Sequence, residues 1–165
     1  MRYFLIALQF LTILPFKLKL KPKPEDFSKS LLYFPVVGLA IGFVLVSILF
    51  ITRFLPLQVQ AVLIMITSII LTGGIHLDGF ADSCDALFGT FDKNKMLKIM
   101  RDSRLGTMGV LGLVSLLLFK YAIVVSMPEF ILWRWLLVMP ILGRWAQVMA
   151  CYLSTYARTQ GRAEH

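Results

Sequence analysis

The sequence predicts an all-α fold, a polytopic integral membrane bundle of about four spans with an N-terminal interfacial helix and a cytoplasmic amphipathic helix. Of the 165 residues, 58% are hydrophobic and only 16% are charged. The mean hydropathy is +0.79, which is too apolar for a soluble domain. Apolar runs of nearly bilayer length alternate with short polar segments. We therefore expect a single membrane domain over residues 1–165.

The N-terminal stretch, residues 1–16, is apolar but would be only about 24 Å long as a helix, which is short for a span. A secretory signal is disfavoured because no small-residue cleavage site follows. Lysines and two prolines, Pro22 and Pro24, follow instead. This pattern predicts an interfacial or re-entrant helix and then a basic, proline-broken turn.

Four apolar runs are long enough to be considered as membrane spans. In the first run, Gly38 and Gly42 have GxxxG spacing, which lets another helix approach closely. We expect that helix to come from the same chain rather than from a second copy. The predicted spans cover residues 35–55, 57–72, 107–127 and 130–153.

A polar segment, residues 73–106, interrupts the apolar sequence and holds five of the nine acidic residues. Asp78, Asp82 and Asp85 stand at i, i+4 and i+7, so on a helix their carboxylates share one face. Mg²⁺ takes oxygen ligands and commonly sits between one or two carboxylates and substrate phosphates. The spacing predicts a magnesium site for phosphoryl transfer, with these three carboxylates as ligands. A solvated acidic helix face is the alternative.

The second half of the polar segment is basic. Asp92 is predicted to cap a short amphipathic helix on the membrane surface that ends at Gly106. Ammonium and guanidinium groups beside carboxylates are the two halves of a nucleotide-diphosphate site. The groups in question are Lys93, Lys95, Lys98, Arg101 and Arg104, around Asp102.

Three further residues have two interpretations each. Arg144 lies midway along the fourth predicted span, where an unpaired cation is costly, and is expected to face a polar interior and meet a phosphate or a carboxylate. Lys120, midway along the third, is either an interior partner or a snorkelling side chain. His76 is either a structural hydrogen-bonding residue or a ligand beside Asp78.

The net charge of +8 does not indicate nucleic-acid binding. The basic residues flank the apolar runs, where anionic lipids and topology signals act on them. If the N-terminus is cytoplasmic, the outer turns hold only Arg53. This asymmetry predicts a multi-pass protein whose polar segment faces the cytoplasm. Cys84 and Cys151 do not have the spacing of zinc ligands, and the sequence does not indicate a disulfide between them.

Two motifs, GGIHLDGFADSCDALFG and KIMRDSRLGTMGVLGLV, together with LLYFPVVGLAIG near the first span, closely resemble the cobalamin synthase family, the adenosylcobinamide-GDP ribazoletransferases. The resemblance implies a Mg²⁺-dependent reaction at the cytoplasmic face of the cell inner membrane. The hydroxyl of α-ribazole, or of its 5′-phosphate, attacks the cobinamide-linked phosphate of adenosylcobinamide-GDP and releases GMP. Family members continue past the end of this chain, so we expect it to be C-terminally truncated.

The resemblance also implies roles for individual residues. Asp78, Asp82 and Asp85 match the acidic motif and would hold the metal, one of them accepting the proton of the nucleophile. Asp78 and Asp82 are the expected catalytic residues. The second motif would clamp phosphates or buttress the carboxylates, and Arg144 matches a Gly-Arg pair in a later span. The matching residues of the second motif are Arg101, Asp102, Ser103 and Arg104.

Two other functions share some of these sequence features. A CDP-alcohol phosphotransferase-like membrane enzyme has a similar acidic signature, but Asp82 stands where that signature has arginine. A small divalent-cation carrier would need carboxylates within its spans. The predicted spans contain the cations Lys120, Arg134 and Arg144 instead.

Overall fold

The computed structural model describes residues 2–14, 23–102 and 104–154. The predicted all-α class is confirmed, since all regular structure in these residues is helical. A short 3₁₀ turn at Leu31–Tyr33 joins the second helix to the third. The helices are α1 (Arg2–Leu11), α2 (Pro24–Ser30), α3 (Phe34–Ile51), α4 (Leu57–Thr72), α5 (Ile75–Gly89), α6 (Lys93–Ile99), α7 (Thr107–Ser126) and α8 (Glu129–Leu153).

Three helical stretches are long and apolar enough to cross a membrane by themselves: Glu25–Ile51, Thr107–Ser126 and Glu129–Leu153. Helices α4 and α5 pass the same test only as a pair, and the pair is bent by 91°. The described residues therefore contain three candidate spans, or four if the bent pair is one span. This agrees with the prediction of about four.

Two predicted boundaries were wrong. The first span was expected to reach residue 55, but α3 ends at Ile51 and a turn follows. Pro56 explains the early stop, because the residue before a proline is disfavoured in the helical region. The N-terminal helix was expected over 1–16 but ends at Leu11. Residues 15–22, which include most of the basic turn, lie outside the described part.

The chain forms two compact units. The first unit contains residues 1–55 and 128–165, with α1, α2, α3 and α8. The second unit contains residues 56–127, with α4, α5, α6 and α7. Each is described separately below.

In the first unit, α3 packs against α8 through the predicted glycine pair. A Cβ atom at Gly38 would lie 2.5 Å from the Pro140 carbonyl oxygen, and one at Gly42 would lie 2.9 Å from Leu137 Cα. Only hydrogen atoms fit in these positions, so the two backbones are in direct contact. The prediction that the GxxxG pair packs within the chain is confirmed.

Pro140, inside α8, explains part of this packing. A proline has no N–H, so the Leu136 carbonyl loses its donor from within the helix. A Cβ atom at Gly42 would lie 3.0 Å from that same Leu136 oxygen. The glycine therefore directs a Cα–H toward an oxygen that would otherwise face apolar surroundings, a weak contact that is common where helices pack closely.

The start of the chain is held to the first unit by one ion pair and by aromatic packing. Arg2 Nη2 donates to Asp26 Oδ2 over 2.6 Å, and the Lys23 amide donates to the same oxygen over 2.8 Å. The Phe10 ring meets the Phe27 ring edge-on, with 4.8 Å between centroids. These contacts attach α1 to α2.

In the second unit, two consecutive glycines produce the bend between α4 and α5. Gly73 and Gly74 both have left-handed backbones, with φ of 62° and 70°. Their N–H groups donate to the carbonyls of Ile70 and Ile69, both over 3.1 Å, which is the Schellman pattern that ends a helix. Helix α5 therefore begins at once in a new direction, and it carries the acidic motif.

Replacing Gly74 with alanine should destabilise this bend by about 1–2 kcal/mol, the cost of a left-handed backbone for a residue with a Cβ atom. A Cβ atom at Gly74 would meet nothing within 4 Å, so the backbone alone sets the cost. Hydrogen exchange at the first amides of α5 measures it. Gly74→Asn is the matched control and should destabilise the bend less than Gly74→Ala, because asparagine tolerates the left-handed conformation. Equal exchange rates in wild type and Gly74→Ala would contradict the expectation.

Candidate active site on helix α5

Helix α5 carries all three acidic residues of the motif. It is continuous from Ile75 to Gly89, so the predicted helix is confirmed, and helical geometry places the three carboxylates within an arc of about 60°. Asp78 is exposed, whereas Asp82 and Asp85 are half-buried. The acidic face is thus accessible at its N-terminal end and partly covered at the other.

Asp85 contacts the N-terminus of α7. The Gly106 amide donates to Asp85 Oδ2 over 2.7 Å, and the Gly109 amide donates to Asp85 Oδ1 over 2.8 Å. Gly106 is the N-cap residue of α7, and the first amides of a helix have no partner within the helix itself. The Asp85 side chain from α5 therefore caps the N-terminus of α7, as a serine or aspartate at the N-cap position usually does.

The glycines of α7 make this contact possible. A Cβ atom at Gly106 would overlap the Asp85 carboxylate, one at Gly109 would lie 2.5 Å from Asp85 Oδ2, and one at Gly112 would lie 2.6 Å from Cys84 Sγ. Sequence reasoning used Gly106 only as the end of the amphipathic helix and missed the role of these three glycines. Their spacing of three residues, which puts small residues along one side of the helix, was the available signal.

The basic half of the motif begins with helix α6. The amides of Asn94 and Lys95 donate to Asp92 Oδ1 over 2.8 and 3.1 Å, so the predicted cap is confirmed. The predicted end of this helix at Gly106 was wrong, because α6 ends at Ile99. Lys98 lies in its last turn and is exposed, a position where a cation is favoured by the helix dipole.

Asp102 and Arg104 form a two-pronged ion pair in the loop between α6 and α7. Arg104 Nε donates to Asp102 Oδ1 over 3.0 Å and Arg104 Nη2 donates to Asp102 Oδ2 over 2.7 Å, while the Arg104 amide donates to Oδ1 over 3.1 Å. The side-chain bond from Arg104, followed by the amide bond, lowers the pKa of Asp102 from 3.8 to about 2. The same bond raises the pKa of Arg104. Arg101 is exposed, and Ser103 lies outside the described residues.

The Asp102 carboxyl should therefore titrate abnormally low. Because its folded pKa lies below 3.8, the ion pair is formed above about pH 4 and is lost as pH falls through about 2. Arg104→Ala should return the Asp102 pKa toward 3.8, since the main cause of the shift is removed. Carbon-13 NMR of labelled aspartate in detergent micelles measures both values. An Asp102 titration that is the same with and without Arg104 would contradict the pairing.

Three other predicted residues lie on another side of α5, on α7 or in the other unit. His76 is half-buried in the first turn of α5, about 200° around the helix axis from Asp78. Lys120 is exposed on α7. Arg144 belongs to α8 in the first unit; its Nε is buried and finds no hydrogen-bond partner within the part of the chain that the structure describes. The site roles of all three stay predictions.

The acidic face fits a magnesium ion through two carboxylates rather than three. Across residues 2–14, 23–102 and 104–154, no group of three or more His, Cys, Asp or Glu side chains is arranged to hold a metal. Both oxygens of Asp85 already accept amide bonds. Mg²⁺ is usually bound through one or two carboxylates plus phosphates and water, a set that Asp78 and Asp82 fit. The metal-ligand role of all three acids stays a prediction.

The polar segment of the chain, with its acidic helix and basic loop, lies within a match to a known family. The family model described as Cobalamin-5-phosphate synthase matches residues 3–165. The chain belongs to the cobalamin-5-phosphate synthase family. Both motifs quoted above fall inside the match, which confirms the family resemblance found in the sequence.

Relatives of this cobalamin-5-phosphate synthase family member are named adenosylcobinamide-GDP ribazoletransferase. The chain is 42% identical to the one from Pseudomonas syringae pv. syringae over 160 residues, covering 96% of the chain and 65% of the relative. It is 38% identical to the one from Clostridium acetobutylicum, covering 95% and 63%, and 40% identical to the one from Acetivibrio thermocellus, covering 93% and 62%. The chain therefore spans somewhat less than two thirds of these relatives. No solved structure matches it.

Proposed function

We propose that this chain carries the transfer site of an adenosylcobinamide-GDP ribazoletransferase. Its substrates are adenosylcobinamide-GDP and α-ribazole or α-ribazole 5′-phosphate, and its products are the completed corrinoid and GMP. The observation that supports this most strongly is the placement of Asp78 and Asp82 on one face of α5, inside a family match that covers residues 3–165. Such a face suits a reaction at a pyrophosphate.

In this proposal, Asp78 and Asp82 would hold Mg²⁺, which binds pyrophosphate oxygens. When bound, the ion would neutralise charge on the phosphate oxygens. The α-ribazole hydroxyl oxygen forms a bond to the cobinamide-linked phosphorus, and the bond from this phosphorus to the GMP oxygen breaks. One of the two carboxylates accepts the hydroxyl proton. The electron pair of the broken bond leaves with GMP.

The basic loop stabilises the departing GMP. Lys98, Arg101 and Arg104 are all exposed on the segment that follows α5, and cations of this kind offset charge on phosphate oxygens. Asp102 holds the Arg104 guanidinium in one orientation. A side chain ordered in advance loses less entropy when it binds. Ser103 and Arg144 are proposed as additional phosphate contacts, as the family motifs imply.

We place the protein in the cell inner membrane, with the polar segment in the cytoplasm. Support comes from the apolar helices that are long enough to cross a bilayer and from the basic residues, which are concentrated near the N-terminus and within the polar segment, as is usual for cytoplasmic segments. The bilayer is thus a partner of the protein. Nucleotide-linked substrates would reach the α5 face directly from the cytoplasm.

The test is a reconstituted assay. Purified chain in liposomes is incubated with adenosylcobinamide-GDP and α-ribazole 5′-phosphate, or α-ribazole, with and without Mg²⁺, and GMP and corrinoid are measured by mass spectrometry. We expect the two products in equal amounts and only with Mg²⁺. The relative from Pseudomonas syringae serves as the positive control. Failure of the folded chain to release GMP under conditions where that relative does so would refute the proposal.

A further inference from the structure

The Asp85 carboxylate joins two parts of the polar segment that are distant in sequence. It lies 21 residues before Gly106 and 24 residues before Gly109, and it accepts a hydrogen bond from each of their amides. No side chain of α7 caps its own N-terminus. The hydrogen bonds that hold these two amides at the start of α7 to α5 therefore come from this one side chain.

We propose that Asp85 is a positioning residue and not a metal ligand: it fixes the helix that carries Asp78 and Asp82 against the N-terminus of α7. This inference rests on the proposed function, because it assigns Asp85 a part in that reaction. Its two oxygens each receive one amide, at 2.7 and 2.8 Å. Those are distances of strong charge-assisted hydrogen bonds.

Two independent features of the chain favour this arrangement. A carboxylate at the N-terminus of a helix is stabilised by the unpaired amides and by the helix dipole. The residues that receive it, Gly106 and Gly109, are the ones at which a Cβ atom would displace the carboxylate. The carboxylate on α5 therefore fits a space on α7 that exists only because Gly106 and Gly109 have no side chains.

The contact has a direct consequence for the site. Arg104 lies only two residues before Gly106, the residue that Asp85 holds, so fixing Gly106 also limits where the basic loop can lie relative to α5. Asp78 and Asp82 both belong to α5, and their mutual spacing is set by that helix alone. Loss of Asp85 should therefore loosen the basic loop from the acidic face but leave the metal-binding pair intact.

Variants can therefore distinguish a positioning role of Asp85 from a metal-ligand role. Asp85→Asn keeps the shape but places an NH₂ group opposite one of the two amide donors. Asp82→Asn removes a proposed metal ligand from the same helix. Asp92→Asn is the matched control, because it removes the same charge from the same segment at a cap where asparagine serves as well as aspartate.

Three measurements are made on the full chain in nanodiscs: the ¹⁵N–¹H resonances of Gly106 and Gly109, Mn²⁺ affinity by electron paramagnetic resonance, and kcat and KM for GMP release. For Asp85→Asn we expect both glycine resonances to lose their downfield shift and Mn²⁺ affinity to stay within about twofold of wild type. We expect kcat to fall about 10–100-fold, because a basic loop that is displaced by about 1 Å stabilises the departing GMP less well. Asp92→Asn should leave all three unchanged.

Gly109→Ala provides a second route to the same result, because it displaces the carboxylate while Asp85 itself stays in place. It should lower kcat as Asp85→Asn does and leave Mn²⁺ affinity unchanged. If Asp85→Asn weakens Mn²⁺ binding as much as Asp82→Asn, or leaves both glycine resonances unmoved, the inference is overturned. The resonances and the Mn²⁺ titration need no turnover, so they decide the role of Asp85 even if the wild-type chain releases no GMP, a result that would refute the proposed function alone.

Discussion

Asp82→Asn should abolish GMP release, with a loss on the order of 10³-fold or more, while membrane insertion is retained. In the proposed site this change removes one of two carboxylates that hold the metal, together with a candidate acceptor for the hydroxyl proton. The loss should appear in kcat, because both functions act on the transition state. GMP release from reconstituted chain, followed with saturating substrates, measures it.

The control for this experiment is Asp92→Asn, which changes the same charge in the same polar segment. Asp92 caps α6, and asparagine caps a helix as well as aspartate does, so GMP release should be unchanged. Helix content by circular dichroism should be unchanged in both variants, because Asp82 is a half-buried side chain within a regular helix. A rate for Asp82→Asn above one tenth of wild type, an arbitrary threshold of about 1.4 kcal/mol, would argue against a metal or base role.

Local signals in the sequence predicted much of this fold. Helix α4 was predicted at its observed bounds because Pro56 and Gly73 bracket one apolar run. The cap at Asp92 was predicted because an aspartate before a helical pattern accepts the first free amides. The acidic face on α5 followed from spacing alone, since helical geometry converts a separation of three or four residues into a shared side.

Long-range contacts could not be predicted in the same way. The sequence treats Asp78, Asp82 and Asp85 as equivalent, because all three lie on one face. In the structure Asp85 differs, because two amides from residues more than 20 positions away bind it. Only tertiary packing determines which of three similar carboxylates meets the start of another helix.

The early end of α6 has a local cause that the spacing of apolar residues does not show. The apolar pattern through Met100 suggested a longer helix, but Asp102 accepts the amide and the side chain of Arg104. Aspartate side chains that bind nearby backbone amides compete with helix formation. The sequence likewise placed the start of the polar segment at Gly73, but the angle of 91° between α4 and α5 depends on Gly73 and Gly74 both being left-handed.

The largest stability effect should come from Gly38→Ala, which we expect to lower the free energy of unfolding of the first unit by about 1–3 kcal/mol, the usual cost of overpacking. A Cβ atom there would lie 2.5 Å from the Pro140 carbonyl oxygen and 2.9 Å from Ile141 Cα. Both are backbone atoms that no side-chain rotation can move, so α3 and α8 would have to separate.

The three tryptophans of the chain, at 133, 135 and 145, all lie on α8, so their fluorescence during SDS unfolding reports the first unit alone. Gly143→Ala on the same helix is the matched control, because its Cβ atom would meet nothing within 4 Å. Alanine also has the higher helix propensity, so this control should be neutral or stabilising by up to about 1 kcal/mol. If Gly38→Ala lowers the free energy of unfolding and Gly143→Ala leaves it unchanged or raises it, then backbone contact, and not helix propensity, requires glycine at position 38. Equal unfolding midpoints for the two variants would show that α3 and α8 are not in such close contact.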